Sequence, residues 1–179
     1  MSLMRACRAL AVFVVAVAAA FFVATPAYAI DTGFTYEINP EHNVGNCVDV
    51  ANQSLGPAGV GQFPCNDQDN QRFRFERVSG TVYRIHPVHS GNGMCLDVTE
   101  SSQLNKAKLT QFPCNGQTNQ LFRLLDDNLA AAGTVTRIQA VHSQKCLDIP
   151  GLSNAVVQVE QFTCNGGLNQ KFALTAFAS

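Results

Sequence analysis

Cys95-Leu96-Asp97-Val98, then Gln111-Phe112-Pro113-Cys114-Asn115, then Asn119-Gln120-Leu121-Phe122 is the stretch on which the reading of this chain turns, because the same order of residues occurs twice more. Upstream stand Cys47-Val48-Asp49-Val50, Gln62-Phe63-Pro64-Cys65-Asn66 and Asn70-Gln71-Arg72-Phe73. Downstream stand Cys146-Leu147-Asp148-Ile149, Gln161-Phe162-Thr163-Cys164-Asn165 and Asn169-Gln170-Lys171-Phe172. The entry to the unit repeats as well, as Tyr83-Arg84-Ile85 with Val88-His89-Ser90 and Thr136-Arg137-Ile138 with Val141-His142-Ser143. The first cysteines of successive units are 48 and 51 residues apart, and a period near that length marks a repeat architecture.

Each unit holds two cysteines, separated by 18, 19 and 18 positions. Six cysteines allow 15 pairings, and the repeat symmetry selects one of them. The bridges are expected at Cys47 with Cys65, Cys95 with Cys114, and Cys146 with Cys164. Closing loops of that size stabilises a fold by roughly 3 kcal/mol each, chiefly through the unfolded chain.

An oxidising destination agrees with the first 29 residues, which hold 24 apolar residues and no acidic one. They run from Arg5 and Arg8 through an apolar stretch, Ala9 to Ala24, to Pro26 and Ala27-Tyr28-Ala29. That is the pattern of a cleavable signal peptide, residues 1–29, with cleavage expected after Ala29. An apolar run of 16 residues is shorter than the roughly 20 that span a bilayer, so a secreted, extracellular protein without a membrane span is expected. Cys7 leaves with the leader. The remaining 150 residues carry 10 Lys plus Arg against 13 Asp plus Glu, a balance that does not suit a nucleic-acid binder.

Short strands broken by turns are expected at Phe34 to Asn39, Cys47 to Val50, Val60 to Phe63 and Gln71 to Phe75, with counterparts in the other units. No segment keeps a 3.6-residue apolar period over three turns, and strand spacing of this kind indicates an all-β barrel or sandwich. Ala130 to Ala132, ahead of Gly133, reads as a surface turn.

Three copies of Cys-[Leu/Val]-Asp-[Val/Ile], an aromatic just before the second cysteine and a closing Asn-Gln-x-Phe resemble the ricin B-type lectin domain, which includes the family 13 carbohydrate-binding modules. The resemblance covers residues 30–179 and implies a β-trefoil of three four-strand units, here about 30–78, 79–125 and 126–179. The family closes its unit with Gln-x-Trp. In this chain Phe73, Phe122 and Phe172 stand in place of the tryptophan, and the protein has no Trp. The family's aromatic is a core residue, so the swap is expected to keep the fold with less buried area, and phenylalanine leaves no indole N–H to satisfy.

The resemblance also implies three shallow sugar subsites. In the first, Asp49 binds hydroxyls, Phe63 stacks on the sugar, Asn70 hydrogen-bonds it and Gln71 orients Asp49. Asp97, Phe112, Asn119 and Gln120 take these roles in the second, and Asp148, Phe162, Asn169 and Gln170 in the third. The chemistry is apt, because a carboxylate accepts from neighbouring hydroxyls, an amide donates and accepts, and an aromatic face packs on the C–H face of a pyranose. A purely bracing role for the same polar residues is the competing reading, favoured for the three glutamines. The residue next to the aromatic pair varies as Gly61, Thr110 and Glu160, and since Gly61 offers no side chain, the second and third sites are expected to bind better than the first.

Other chemistry is expected to be absent. His42, His89 and His142 recur before the first cysteine of each unit without a second ligand at zinc-type spacing, so no metal or other cofactor is expected and a structural role in the loop is. Oxidised cysteines offer no nucleophile, and three Asp residues in separate units do not form a glycosidase pair. The expected protein is therefore a monomer that is not an enzyme and whose partner is a glycan or polysaccharide. The alternative is a protein-binding or protease-inhibitor trefoil.

Overall fold

A computed structural model of the chain describes residues 30–126 and 135–178. The expected leader at 1–29 and the expected turn at Ala130 to Ala132 lie outside those residues.

Alternation of apolar and polar residues on short β-prone segments produces fourteen strands, and no α-helix occurs among the described residues. The first unit contributes β1 (Phe34–Pro40), β2 (Asn46–Val50), β3 (Ala58–Pro64) and β4 (Arg72–Ser79), and the second β5 (Val82–Pro87), β6 (Met94–Val98), β7 (Leu109–Pro113) and β8 (Phe122–Leu124). The third contributes β9 (Val135–Thr136), β10 (Ile138–Ala140), β11 (Cys146–Asp148), β12 (Val157–Gln158), β13 (Glu160–Phe162) and β14 (Phe172–Ala178). Only Arg137 separates β9 from β10, and only Val159 separates β12 from β13, so this unit too has four extended segments. Gln71, expected to open a strand, instead ends a single 3-10 turn, Asp69–Gln71, that delivers the chain to β4.

All pairings are antiparallel. β1 pairs with both β4 and β14, β4 with β5, β5 with β8, β8 with β10, and β9 with β14, which closes a barrel of six segments. The other strands form three hairpins, β2 with β3, β6 with β7, and β11 with β13. Each hairpin meets the next across an equivalent pair: Gly59 opposite Thr110, Lys108 opposite Glu160, and Gln158 opposite Gly61. Barrel plus three cyclically joined hairpins is a β-trefoil.

The core repeats with the sequence. Phe73, Phe122 and Phe172, which stand where the related pattern has tryptophan, are fully buried, as are Val50, Val98 and Ile149 and the inward residues Val60 and Val159. In the barrel the Phe75 ring meets Tyr36 edge-on at 5.5 Å and Tyr83 at 5.9 Å, while Thr136 occupies the matching place in the third unit. The disulfides join Cys47 to Cys65, Cys95 to Cys114 and Cys146 to Cys164, as the symmetry required.

Buried polar residues lock one unit to the next. Gln62, Gln111 and Gln161 have no exposed surface, because they lie between the hairpins and not on their outer face. The Gln111 amide donates to the carbonyls of Ser54 and Gly56, Gln161 to those of Ser102 and Leu104 at 2.7 and 2.8 Å, and Gln62 to those of Ser153 and Ala155 at 2.6 and 2.7 Å. The repeated histidines join them: Nε2 of His89, His142 and His42 lies 2.8, 2.9 and 3.0 Å from the carbonyls of Ser54, Ser102 and Ser153. Each unit thus holds a loop of the preceding one, and the third unit's loop is held by the first. His86, which has no counterpart, is buried between the Met94 carbonyl at 2.9 Å and the Glu76 carboxylate at 3.0 Å.

Two outcomes follow. Non-reducing peptide mapping is expected to recover only bridges within a repeat, and a bridge between repeats would contradict the structure. Gln111→Ala removes three hydrogen bonds and leaves a cavity, although the Ser54 and Gly56 carbonyls keep His89 Nε2 and Ser54 Oγ as partners, so it is expected to cost about 2–4 kcal/mol in denaturant unfolding. Gln62→Ala is expected to cost less, since its carbonyl oxygen already lacks a partner.

Candidate functional site

Each hairpin presents an aspartate at the end of its first strand. The residue after the half-cystine (Val48, Leu96 or Leu147) turns into the core, and the aspartate that follows turns to the opposite face. Asp49, Asp97 and Asp148 are nevertheless only 8, 5 and 4% exposed. The 3-10 turn before the last strand packs an Asn-Gln pair against them.

The contacts are the same three times. Asp49 Oδ2 accepts from Asn70 Nδ2 and Gln71 Nε2, both at 2.9 Å. Asp97 Oδ2 accepts from Asn119 and Gln120, both at 2.9 Å, and Asp148 Oδ2 accepts from Asn169 at 2.9 Å and Gln170 at 2.8 Å. The glutamines are fully buried and spend the rest of their amides on backbone: Gln71 donates to the Pro64 carbonyl and accepts from the Asn66 N–H, with equivalents at Gln120 and Gln170. They orient the carboxylate and do not reach the surface. The asparagines differ from the sequence expectation in what they have left to offer. Asn70 and Asn119 each give Nδ2 to the aspartate and to the following strand carbonyl, which leaves Oδ1 buried without a partner.

Among the described residues no group bonds the second oxygen, Oδ1, of any of the three aspartates. Burial raises all three pKa values above the ordinary Asp range, and the amide donors lower them in part; Glu160 adds to the rise at Asp148.

Three clefts open over these carboxylates. The first, about 650 Å³, is lined by Asp49, Phe63 and Asn70; the second, about 520 Å³, by Asp97, Phe112 and Asn119; the third, about 350 Å³, by Asp148, Phe162 and Asn169. Phe63 and Phe112 are 43 and 44% exposed, so these rings stand as cleft walls and not as core. Every cleft also takes in residues of the preceding unit: Val156, Val157 and Gln158 in the first, Pro57, Ala58 and Gly59 in the second, and Lys106 in the third.

A row of three paired residues runs outward from each aspartate, and here the units diverge. The rows read Asp49, Gly61, Gln158; then Asp97, Thr110, Gly59; then Asp148, Glu160, Lys108. A side chain at position 61 would put its Cβ 2.7 Å from the Val157 carbonyl, so glycine is required for the third unit's strand to approach. In the third row Lys108 Nζ donates to Glu160 Oε2 at 2.7 Å. Periodicity alone could not show these rows, because each draws one member from the neighbouring repeat.

The lips of the clefts were also missed at the level of sequence. After each hairpin's first strand the chain makes a tight turn with two successive left-handed residues, Asn52 and Gln53 (φ 57° and 49°), Glu100 and Ser101 (56° and 51°), and Gly151 and Leu152 (62° and 55°). Most of them are not glycine, and that conformation costs about 1–2 kcal/mol for an L-residue. Strained backbone of this kind clusters at ligand clamps.

Two groupings bring metal-type atoms together, His86 with Cys95 and Cys114, and Glu37 with Cys47 and Cys65. Their sulfurs are joined in disulfides, so neither offers a thiolate.

A family model for the ricin-type beta-trefoil lectin domain matches residues 34–132, and one for the ricin-type beta-trefoil lectin domain-like group matches residues 118–179. Among solved structures, the designed threefold-symmetric protein ThreeFoil is 31% identical, with 81% of this chain and 99% of that chain covered and a TM-score of 0.72. The exo-beta-1,3-galactanase 1,3Gal43A of Clostridium thermocellum is 25% identical over 84% of this chain, with a TM-score of 0.70, and the match spans 31% of the galactanase. The Macrolepiota procera ricin B-like lectin, solved in complex with lactose, shares the fold at 17% identity, with 82% of this chain and 97% of that chain covered and a TM-score of 0.64. No curated protein matches the chain by sequence. Since the first family model alone matches more than half of the sequence, the chain belongs to the ricin-type β-trefoil lectin domain family.

Proposed function

We propose that this protein is a secreted, non-enzymatic carbohydrate-binding module that holds glycan or polysaccharide chains through up to three clefts. The observation that carries the reading is the threefold recurrence of one arrangement: a carboxylate fixed through Oδ2 by two buried amides, with Oδ1 left over beside a phenylalanine wall. A fixed acceptor next to an apolar face matches the two surfaces of a pyranose, its hydroxyl edge and its C–H face. The fixing matters energetically, because an oriented acceptor loses little freedom when a hydroxyl arrives.

In this reading Asp49, Asp97 and Asp148 accept sugar hydroxyls, Phe63, Phe112 and Phe162 stack, and Asn70 and Asn119, whose Oδ1 atoms are buried, act through the aspartates that their N–H groups hold, as Asn169 holds Asp148. Gln71, Gln120 and Gln170 act only through the aspartates. Cleft size favours the first and second sites over the third, which Glu160 lines, an order that reverses the sequence-based preference against the first. Three weak sites on one rigid body raise avidity for a polymer by roughly 100-fold or more. The likeness to about a third of a galactanase suits a module that works alongside separate glycan-degrading enzymes. The disulfides and the leader suit an extracellular site of action.

Asp→Asn substitution tests the assignment. An asparagine that points Oδ1 at the bracing amides keeps them satisfied but offers N–H where the sugar needs an acceptor. Asp49→Asn, Asp97→Asn and Asp148→Asn together are expected to keep the thermal transition within a few degrees of wild type and to abolish retention in a glycan array and an insoluble-polysaccharide pull-down. Unchanged retention would sink the proposal. Hydrolysis of any retained polysaccharide would sink its non-enzymatic part.

Acid supplies a second test. Protonation removes the acceptor, and burial puts that step above the ordinary Asp range, so affinity is expected to fall with pH before exposed carboxylates titrate. Stability moves the opposite way: a pKa raised in the folded state favours the protonated fold, so wild type gains stability relative to Asp97→Asn as pH drops through that range and loses it as pH rises. Paired denaturant titrations of the two proteins across the acid range check the sign.

A further inference from the structure

The first two clefts share a floor. Gly59 lines both of them, as part of the wall given to the second by the first unit and as the far end of the first. On β3 the inward residues Val60 and Gln62 are fully buried, so Gly59, Gly61 and Phe63 make up the outward face. Two of these three positions have no side chain. Across the hairpin junction Gly59 lies opposite Thr110, whose outward face continues to Phe112. The two strands run antiparallel, so Phe63 and Phe112 stand at opposite ends of one track. Counting six residue steps along it, they are separated by roughly 20 Å.

The other two junctions carry a long side chain at the position that Gly59 leaves bare. At the position of Gly59 the second unit has Lys108, tied across the junction to Glu160 by the 2.7 Å ion pair. The third unit has Gln158, whose amide lies over Gly59, 3.0 Å from where a Cβ would stand, and donates to the Leu109 carbonyl at 3.0 Å. That amide crosses the track at its midpoint, where it offers a passing chain a polar contact.

We infer that the first and second clefts form a single continuous groove that takes an internal segment of an uncharged, linear polysaccharide, with a phenylalanine at each end and Gln158 at the middle, while the third cleft stands apart behind the Lys108–Glu160 pair. The groove's central contacts are amide, hydroxyl and bare backbone, and the charged residues lining the two clefts are the acidic Asp49, Asp97 and Glu100, which disfavour an anionic chain. This inference rests on the sugar-binding reading above and specifies its ligand.

Galactose, lactose and linear β-1,3-galacto-oligosaccharides of increasing length are suitable probes, with calorimetry for affinity and stoichiometry and amide chemical shifts for location. Affinity is expected to rise on the order of tenfold to a hundredfold from galactose to chains that cover both clefts, with a single chain shifting the surroundings of Asp49 and Asp97 together. Gly59→Lys copies the residue that the fold already accepts at the equivalent place in the second unit, and it is expected to bring the oligomer-to-galactose ratio close to one. Gly59→Gln, copying the third unit, serves as the second variant. Galactose bound at both clefts with no gain for longer chains, or two chains bound side by side, would overturn the groove and leave the sugar-binding reading standing. Absence of binding by every probe at every cleft would overturn both.

Discussion

The structure depends on a buried amide that belongs to one unit and satisfies another. Gln62, Gln111 and Gln161 sit where no water reaches them, and each donates to two carbonyls of a neighbouring loop. Backbone polar groups in such a place cost about 1–3 kcal/mol each if unpaired, so the loops take this course only when the neighbouring unit is present. The histidines add a third bond to the same loops. The loops thus held lie beside the turns that form the cleft lips, and the strands that follow them carry the phenylalanine walls. Site geometry is for this reason a property of the assembled ring and not of a single repeat.

Most of the architecture was legible because the repeat is dense in residues that can take only one part. Half-cystines at fixed spacing, an apolar residue on each side of the aspartate and a closing phenylalanine determined the bridges, the hairpins and the core. The site was legible in its members but not in their division of labour. Sequence alone could not tell that Asn70 and Asn119 spend their N–H groups on aspartate and backbone, nor that the glutamines are sealed behind the carboxylates, because both facts depend on which face of a 3-10 turn packs inward. Gln71 was placed on a strand for the same reason: nothing in Asn-Gln-Arg-Phe distinguishes the end of a turn from the start of a strand. The roles of Gln62, Gln111 and Gln161 were illegible because their partners lie more than fifty residues away in sequence, in another unit.

What the repeats do not share is as informative as what they do. The aspartate, phenylalanine and Asn-Gln pair recur unchanged, whereas the two positions beside the aspartate across the sheet differ in size and charge. The shared set provides a fixed acceptor and a wall. The variable set decides how much room lies between them and whether it continues into the next cleft. A threefold scaffold in this way carries three unequal surfaces without any change to its core.

The pairing of β1 with β14 has a topological consequence. Phe34 lies opposite Ala178, so the first and last described strands are neighbours in the barrel, joined by the same antiparallel register that joins β4 to β5. The hairpin junctions and the glutamine clamps are cyclic too. The order of the units along the chain is therefore a matter of where the polypeptide happens to be open and not of how the units hold each other, and any of the three is structurally as good a beginning as the others.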